Sequence, residues 1–243
     1  MSALWVHEVA ERFWGDAGGA PSGFPRDLMD ALSWALPVAP FELPGLSVDR
    51  ANAWLAEHQF GLRLEIADRP LRACILVHEG NGVLFVDASD PEDERRFSVA
   101  HEIAHYLVEY HVPRRRAHAR LGESILPVLD GRRAASWDER FGAVLGGVSL
   151  VPRLHLMERT PDGHLPGLEV SAAERQADEL AFELLAPFDA VRACLPDPAD
   201  RRDVEAVLRQ TFGLPAFPSH LYASRLVPEP PTGSLFRRLF SVS

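Results

Sequence analysis

Cysteine is scarce: Cys74 and Cys194 are the only two in 243 residues. They are far apart and match no metal-ligand spacing, which excludes a cysteine-based zinc cluster. Both lie among apolar residues and read as reduced core side chains. Basic residues are also short, 25 Lys and Arg against 35 Asp and Glu, for a net charge of −10. A phosphate backbone is bound through accumulated cations, so nucleic acid is not expected as a direct partner. Arg114, Arg115 and Arg116 form a local basic run all the same. No apolar stretch reaches the ~20 residues of a bilayer-spanning helix, and no membrane partner is expected. The first residues, MSALWVHEVAERFW, have early acids where a secretory signal has a basic start and an apolar run. These absences lead us to expect a cytoplasmic protein.

What is present suits a soluble fold. The chain is 47% hydrophobic, enough for a core in one large domain or a domain with a helical extension. Residues 1–60 read as helices near 2–14, 25–36 and 47–58, divided by the breaker cluster PSGFP. From Leu62 the period changes to two. LRLEIA, RACILVH and VLFVDA read as strands, the last two joined by a turn at Glu79-Gly80-Asn81-Gly82. A helix follows, with Asp90 as cap, Pro91 at its first position and Glu92, Asp93 and Glu94 at its positive end, running to about Tyr110 and stopping before Pro113. Residues 112–170 are loop-rich, with a helix near 136–146 and a turn at Pro161-Asp162-Gly163. A second strong helix covers about 172–186, and two more lie near 200–212 and 217–226. The resulting expectation is an α+β fold with a small antiparallel sheet of about three strands. Its parts are an N-terminal helical segment (1–60), a main domain (61–227) with an insertion at 112–170, and a loosely held tail (228–243).

HEIAH at 101–105 is the H-E-x-x-H pattern on a helix. Residues four apart are about 40° apart around the axis and ~6 Å apart along it, so His101 and His105 can converge on one tetrahedral Zn²⁺. Glu102 sits about 100° round, placed to act as a general base beside the metal. Phe97, Ala100, Ala104 and Val108 mark an apolar face that includes both histidines, and imidazoles turned toward a core need partners or a metal.

A catalytic zinc needs a third protein ligand. His111 stands where a longer H-E-x-x-H-x-x-G-x-x-H site has its third histidine. Val108 replaces the glycine that would turn the chain back, and along a continuing helix His111 lies ~15 Å from His101. The better candidate is in SAAERQADELAFELLAP. With Glu174 as zero, Ala181 and Leu185 fall within about 20° and Asp178 at about 40°, while Glu179 and Glu183 face the opposite, solvated side. Glu174 is then the ligand, and Asp178 accepts a hydrogen bond from a ligand histidine. A capping box with Ser171 is the competing role for Glu174. His155 and His164 are outside candidates.

With RRFSVAHEIAHYLVEY, ERQADELAFELLAP and FGLPAFPSHLYASRL in hand, the chain resembles the ImmA/IrrE-type metallopeptidases over about residues 60–227. The resemblance implies a minimal zinc-peptidase fold, a small antiparallel sheet packed on the two metal-bearing helices, with ligands at His101, His105 and Glu174 and with Glu102 catalytic. It also implies action inside bacterial cells, often on a repressor protein. The 68 residues between His105 and Glu174 exceed the family's usual connection, and three readings fit the insertion: lid, specificity element or inhibitory segment. Many members carry an N-terminal DNA-binding domain; residues 1–60 show helices without its signature. The alternative function is a DNA-binding regulator with a sensing or vestigial metal site, based on the helix-turn-helix look of 203–226 with Gly213 at its turn. A structural zinc protein is a third reading, against which Glu102 speaks.

Overall fold

Among the described residues four strands form one sheet: β1 (Val38–Leu43), β2 (Leu71–His78), β3 (Asn81–Asp87) and β4 (His155–Glu158), in the order β1-β3-β2-β4. The computed structural model describes residues 4–140, 155–158, 168–196 and 199–227. Helices α1 (Leu4–Asp16), α2 (Met29–Ala35) and α3 (Val48–Glu57) precede the β2–β3 hairpin, and α4 (Glu92–His105), α5 (Val112–Leu121) and α6 (Leu126–Leu129) follow it. Beyond β4 come α7 (Leu168–Leu185), α8 (Phe188–Ala193), α9 (Arg201–Gln210) and α10 (Ala216–Leu226). The mixed α+β class is as expected.

The sheet is mixed, which corrects the expectation of a purely antiparallel one. β2 pairs antiparallel with β3 and β4, but β1 joins β3 in parallel. β1 was hidden because Pro40 interrupts it; an edge strand tolerates a missing N–H. Gly82 permits the pairing, since a Cβ there would stand 2.9 Å from the Val38 side chain. The hairpin turn is Glu79-Gly80, both at positive φ (48° and 93°), with His78 opposite Asn81. LRLEIA is not a strand. Asn52 on α3 accepts from the Leu64 N–H at 2.7 Å and donates to its carbonyl at 3.1 Å, so a side-chain amide serves the backbone that a ladder would have served.

Both faces of the sheet are covered, which is why β2 and β3 are apolar runs without clean alternation. Leu71, Cys74, Leu76, Val83 and Phe85 pack toward α3, while Ala73, Ile75, Leu84 and Val86 share a core with α1, α4 and α7. Each fully buried Leu or Phe contributes about 1.5–3 kcal/mol. α4 lies along α7, and α1 covers another side of α7.

Two expectations about α4 fail. Its N-cap is Pro91 without a side-chain cap bond, not Asp90. The chain also does not stop before Pro113: Tyr106–His111 is a π-helical turn, and α5 continues with Pro113 in its first turn. The Val112 N–H reaches Leu107, five residues back. Pro113, which has no N–H to give, enters where the ordinary ladder has already been released. Of the helix expected near 136–146, residues 137–140 are helical and the rest lies outside the described residues, as do the turn at 161–163 and the tail 228–243.

Candidate metal centre

Two helices deliver the site. α4 presents one buried stretch from Phe97 through His105, with His101 3% exposed, His105 2% and Glu102 0%. α7 meets it with a face of small and apolar residues, Ala177, Leu180, Ala181 and Leu184, all buried. The small side chains let the two helices approach, and Glu174 on α7 thereby comes to the imidazoles.

The ring nitrogens converge. His101 Nε2 is 3.1 Å from Glu174 Oε2, His105 Nε2 is 3.4 Å from Glu174 Oε1, and the two Nε2 atoms are 3.2 Å apart. All the ligand atoms of His101, His105 and Glu174 lie within 4.8 Å of one another, so the three could hold a metal ion. The far sides of both rings are held by carboxylates. Glu109 Oε1 is 2.7 Å from His105 Nδ1, and Asp178 Oδ1 is 3.3 Å from His101 Nδ1. Asp178 is in turn engaged by Arg225 on α10, whose NH2 donates to Oδ2 at 3.1 Å. Carboxylates behind the rings fix their orientation and leave Nε2 for a cation. The electrostatics agree. Burial works against positive charge on His101, but Asp178 and Glu174 outweigh it and hold the ring up to about 9. The pocket is built for a positive charge at this point, and two imidazoles with one carboxylate are a donor set that suits zinc.

Glu174 lies inside α7, two turns from its start at Leu168. Ser171 is itself helical and does not flank the helix, so the capping box is removed as a rival role for Glu174. His111 points elsewhere: its ring lies 5.7 Å from that of Tyr106, and burial, with Arg115 and Arg114 nearby, lowers its affinity for a proton. The backbone of His155 falls in β4, and His164 lies outside the described residues.

Three further assignments change. Glu183, expected on a solvated face, is buried, because α1 covers that side of α7; it meets His7 at 3.1 Å and accepts from the Phe188 N–H at 3.3 Å. Cys194 is exposed, whereas Cys74 is buried as expected. Sequence reasoning also missed Glu109 and Arg225. Glu109 was detectable, four residues from His105 on the same helix face; Arg225 carried no such signal.

The C-terminal helix pair is committed to packing. Tyr222 stacks on Phe182 with ring centroids 4.5 Å apart and donates to the Ala186 carbonyl, while Pro218, Ser219 and Ala223 are buried. A recognition helix needs a free face for a groove; the face of α10 that bears Tyr222 and Arg225 is turned onto α7.

Comparison with known proteins agrees with the resemblance. Residues 59–122 match the family model Peptidase_M78, described as the IrrE N-terminal-like domain, which is the ImmA/IrrE family. The match takes in the β2–β3 hairpin, His101, Glu102 and His105 and ends before α7, so Glu174 and Asp178 stand on geometry. No curated protein and no solved structure matches the chain. Among the described residues, no helix is long and apolar enough to cross a membrane.

Proposed function

We propose that the protein is a zinc-dependent metallo-endopeptidase that hydrolyses peptide bonds of a cytoplasmic protein substrate. The observation that carries this reading is the convergence of His101 Nε2, His105 Nε2 and Glu174, with Glu109 and Asp178 behind the rings. His101, His105 and Glu174 would hold Zn²⁺, which supplies Lewis acidity toward the scissile carbonyl and the attacking water. Glu102 is the general base: its carboxylate takes the proton of the water and delivers it to the leaving amine. Glu102 is completely buried, which keeps bulk water away from that transfer. By resemblance to its family, the substrate is a helix-turn-helix repressor, whose cleavage would release stress-response genes.

The test is cleavage of an unfolded protein such as casein by the zinc-loaded chain, beside the chelated chain and Glu102→Gln. Activity in the first alone supports the reading. Equal activity in all three, or none in any, removes it.

A further inference from the structure

One strand has had no part in the chemistry so far. β4 comes from the stretch between the two motif helices and, among the described residues, is the outermost strand of the sheet on the β2 side. It pairs antiparallel with β2: His155 opposite Ile75, Leu156 opposite Cys74 and Met157 opposite Ala73. It also packs against α4, the helix of His101, Glu102 and His105. The Glu102 carboxylate makes itself felt at the same place, because burial and then its charge push the Cys74 thiol up. Leu156 lies one strand spacing, about 4.8 Å, beyond Cys74. The covered edge is therefore the one packed against the helix that carries Glu102.

An extended polypeptide docks on a folded protein by adding itself as a strand to a sheet edge, where backbone hydrogen bonds carry the affinity. Here the edge that would carry such a segment across α4 is taken, over Ala73–Ile75, by the chain itself. The occupant has four residues, at the short end for a strand, and an irregularity of register interrupts it between Leu71 and Ala73. Among the described residues, the pairing of β4 with β2 ends at Ile75, short of Leu76, Val77 and His78. We propose that β4 is an internal occupant of the substrate edge, and that an extended polypeptide substrate enters by exchanging with it. The proposal rests on the peptidase reading for the word substrate, but the exchange is a binding event that can be measured without cleavage.

Leu156 stands directly opposite the native Cys74, a spacing that a cross-strand disulfide accepts. Leu156→Cys, in a Cys194→Ser background, makes a reversible staple. The full chain is tested oxidised and reduced, with the staple verified by mass. The first probe is fluorescently labelled casein binding to a Glu102→Gln version; the second is casein cleavage by the version with Glu102 intact. The expected result is binding at least tenfold weaker in the oxidised form, restored by reductant, with zinc content unchanged. Met157→Pro, which blocks the pairing without a cysteine, is expected to bind casein more tightly than the parent. Equal binding in the two redox forms, no binding in either, or failure of the staple to form overturns the proposal. Redox-controlled binding without any cleavage leaves the exchange standing and removes the peptidase reading.

Discussion

Arg225 donates to Asp178 across 3.1 Å from a helix 47 residues further along the chain, and Asp178 stands behind the His101 ring. The link makes α10 part of the site by way of Asp178. Arg225→Gln is expected to weaken zinc binding by about 10–100-fold, as loss of an outer partner does. Asp178→Asn should do the same, and the double variant little more, because both act through one contact. Arg225→Lys should recover part of the loss. Competition with a zinc chelator measures all four; strictly additive losses would mean that Arg225 acts only by packing on Phe182.

Glu174→Ala is expected to abolish stoichiometric zinc binding, whereas Ser171→Ala, inside the helix, leaves it at the parent level. Elemental analysis after gel filtration decides. Full zinc content in Glu174→Ala would place the third ligand elsewhere.

Glu102→Gln should keep zinc and the folded circular dichroism spectrum while cleavage falls below detection, since a base is lost and a ligand is not. Retained turnover would exclude Glu102 as the base.

His7 gives a pH dependence with a definite sign. Its hydrogen bond to Glu183 raises its proton affinity above the ordinary 6.5 in the folded protein, against the opposing effect of burial. A raised histidine stabilises fully below the unfolded value and loses that contribution as pH rises through the folded one. The ring is about half exposed, so the effect is screened and worth only a few tenths of a kcal/mol. His7→Ala should therefore cost more stability at pH 5.5 than at pH 9, as read from urea unfolding. The opposite order would show that the contact does not involve the charged ring.

Local signals made part of this structure legible. The β2–β3 hairpin has two apolar runs around a glycine turn. α4 and α7 have a helical period, and the carboxylates of Glu174 and Asp178 lie on one face of theirs. What stayed hidden depends on distant neighbours. β1 looks like a broken segment until β3 lies beside it, and LRLEIA has a strand's alternation but is served by Asn52. Glu183 looks solvated only if α1 is left out. Arg225 meets Asp178 because Tyr222 seats α10 on Phe182, a contact that no period announces.

His105 and Glu174 are separated by the 68 residues from Tyr106 to Ala173. An ion shared between them closes that stretch into a ring, and the chain freedom removed corresponds to about 4 kcal/mol by the entropy argument used for disulfides. The clasp of that ring is the candidate metal centre. Stripping the ion returns that freedom to the unfolded chain and lowers the stability of the folded one by the same amount, whereas the β2–β3 hairpin, closed by its own two-residue turn, needs no such clasp.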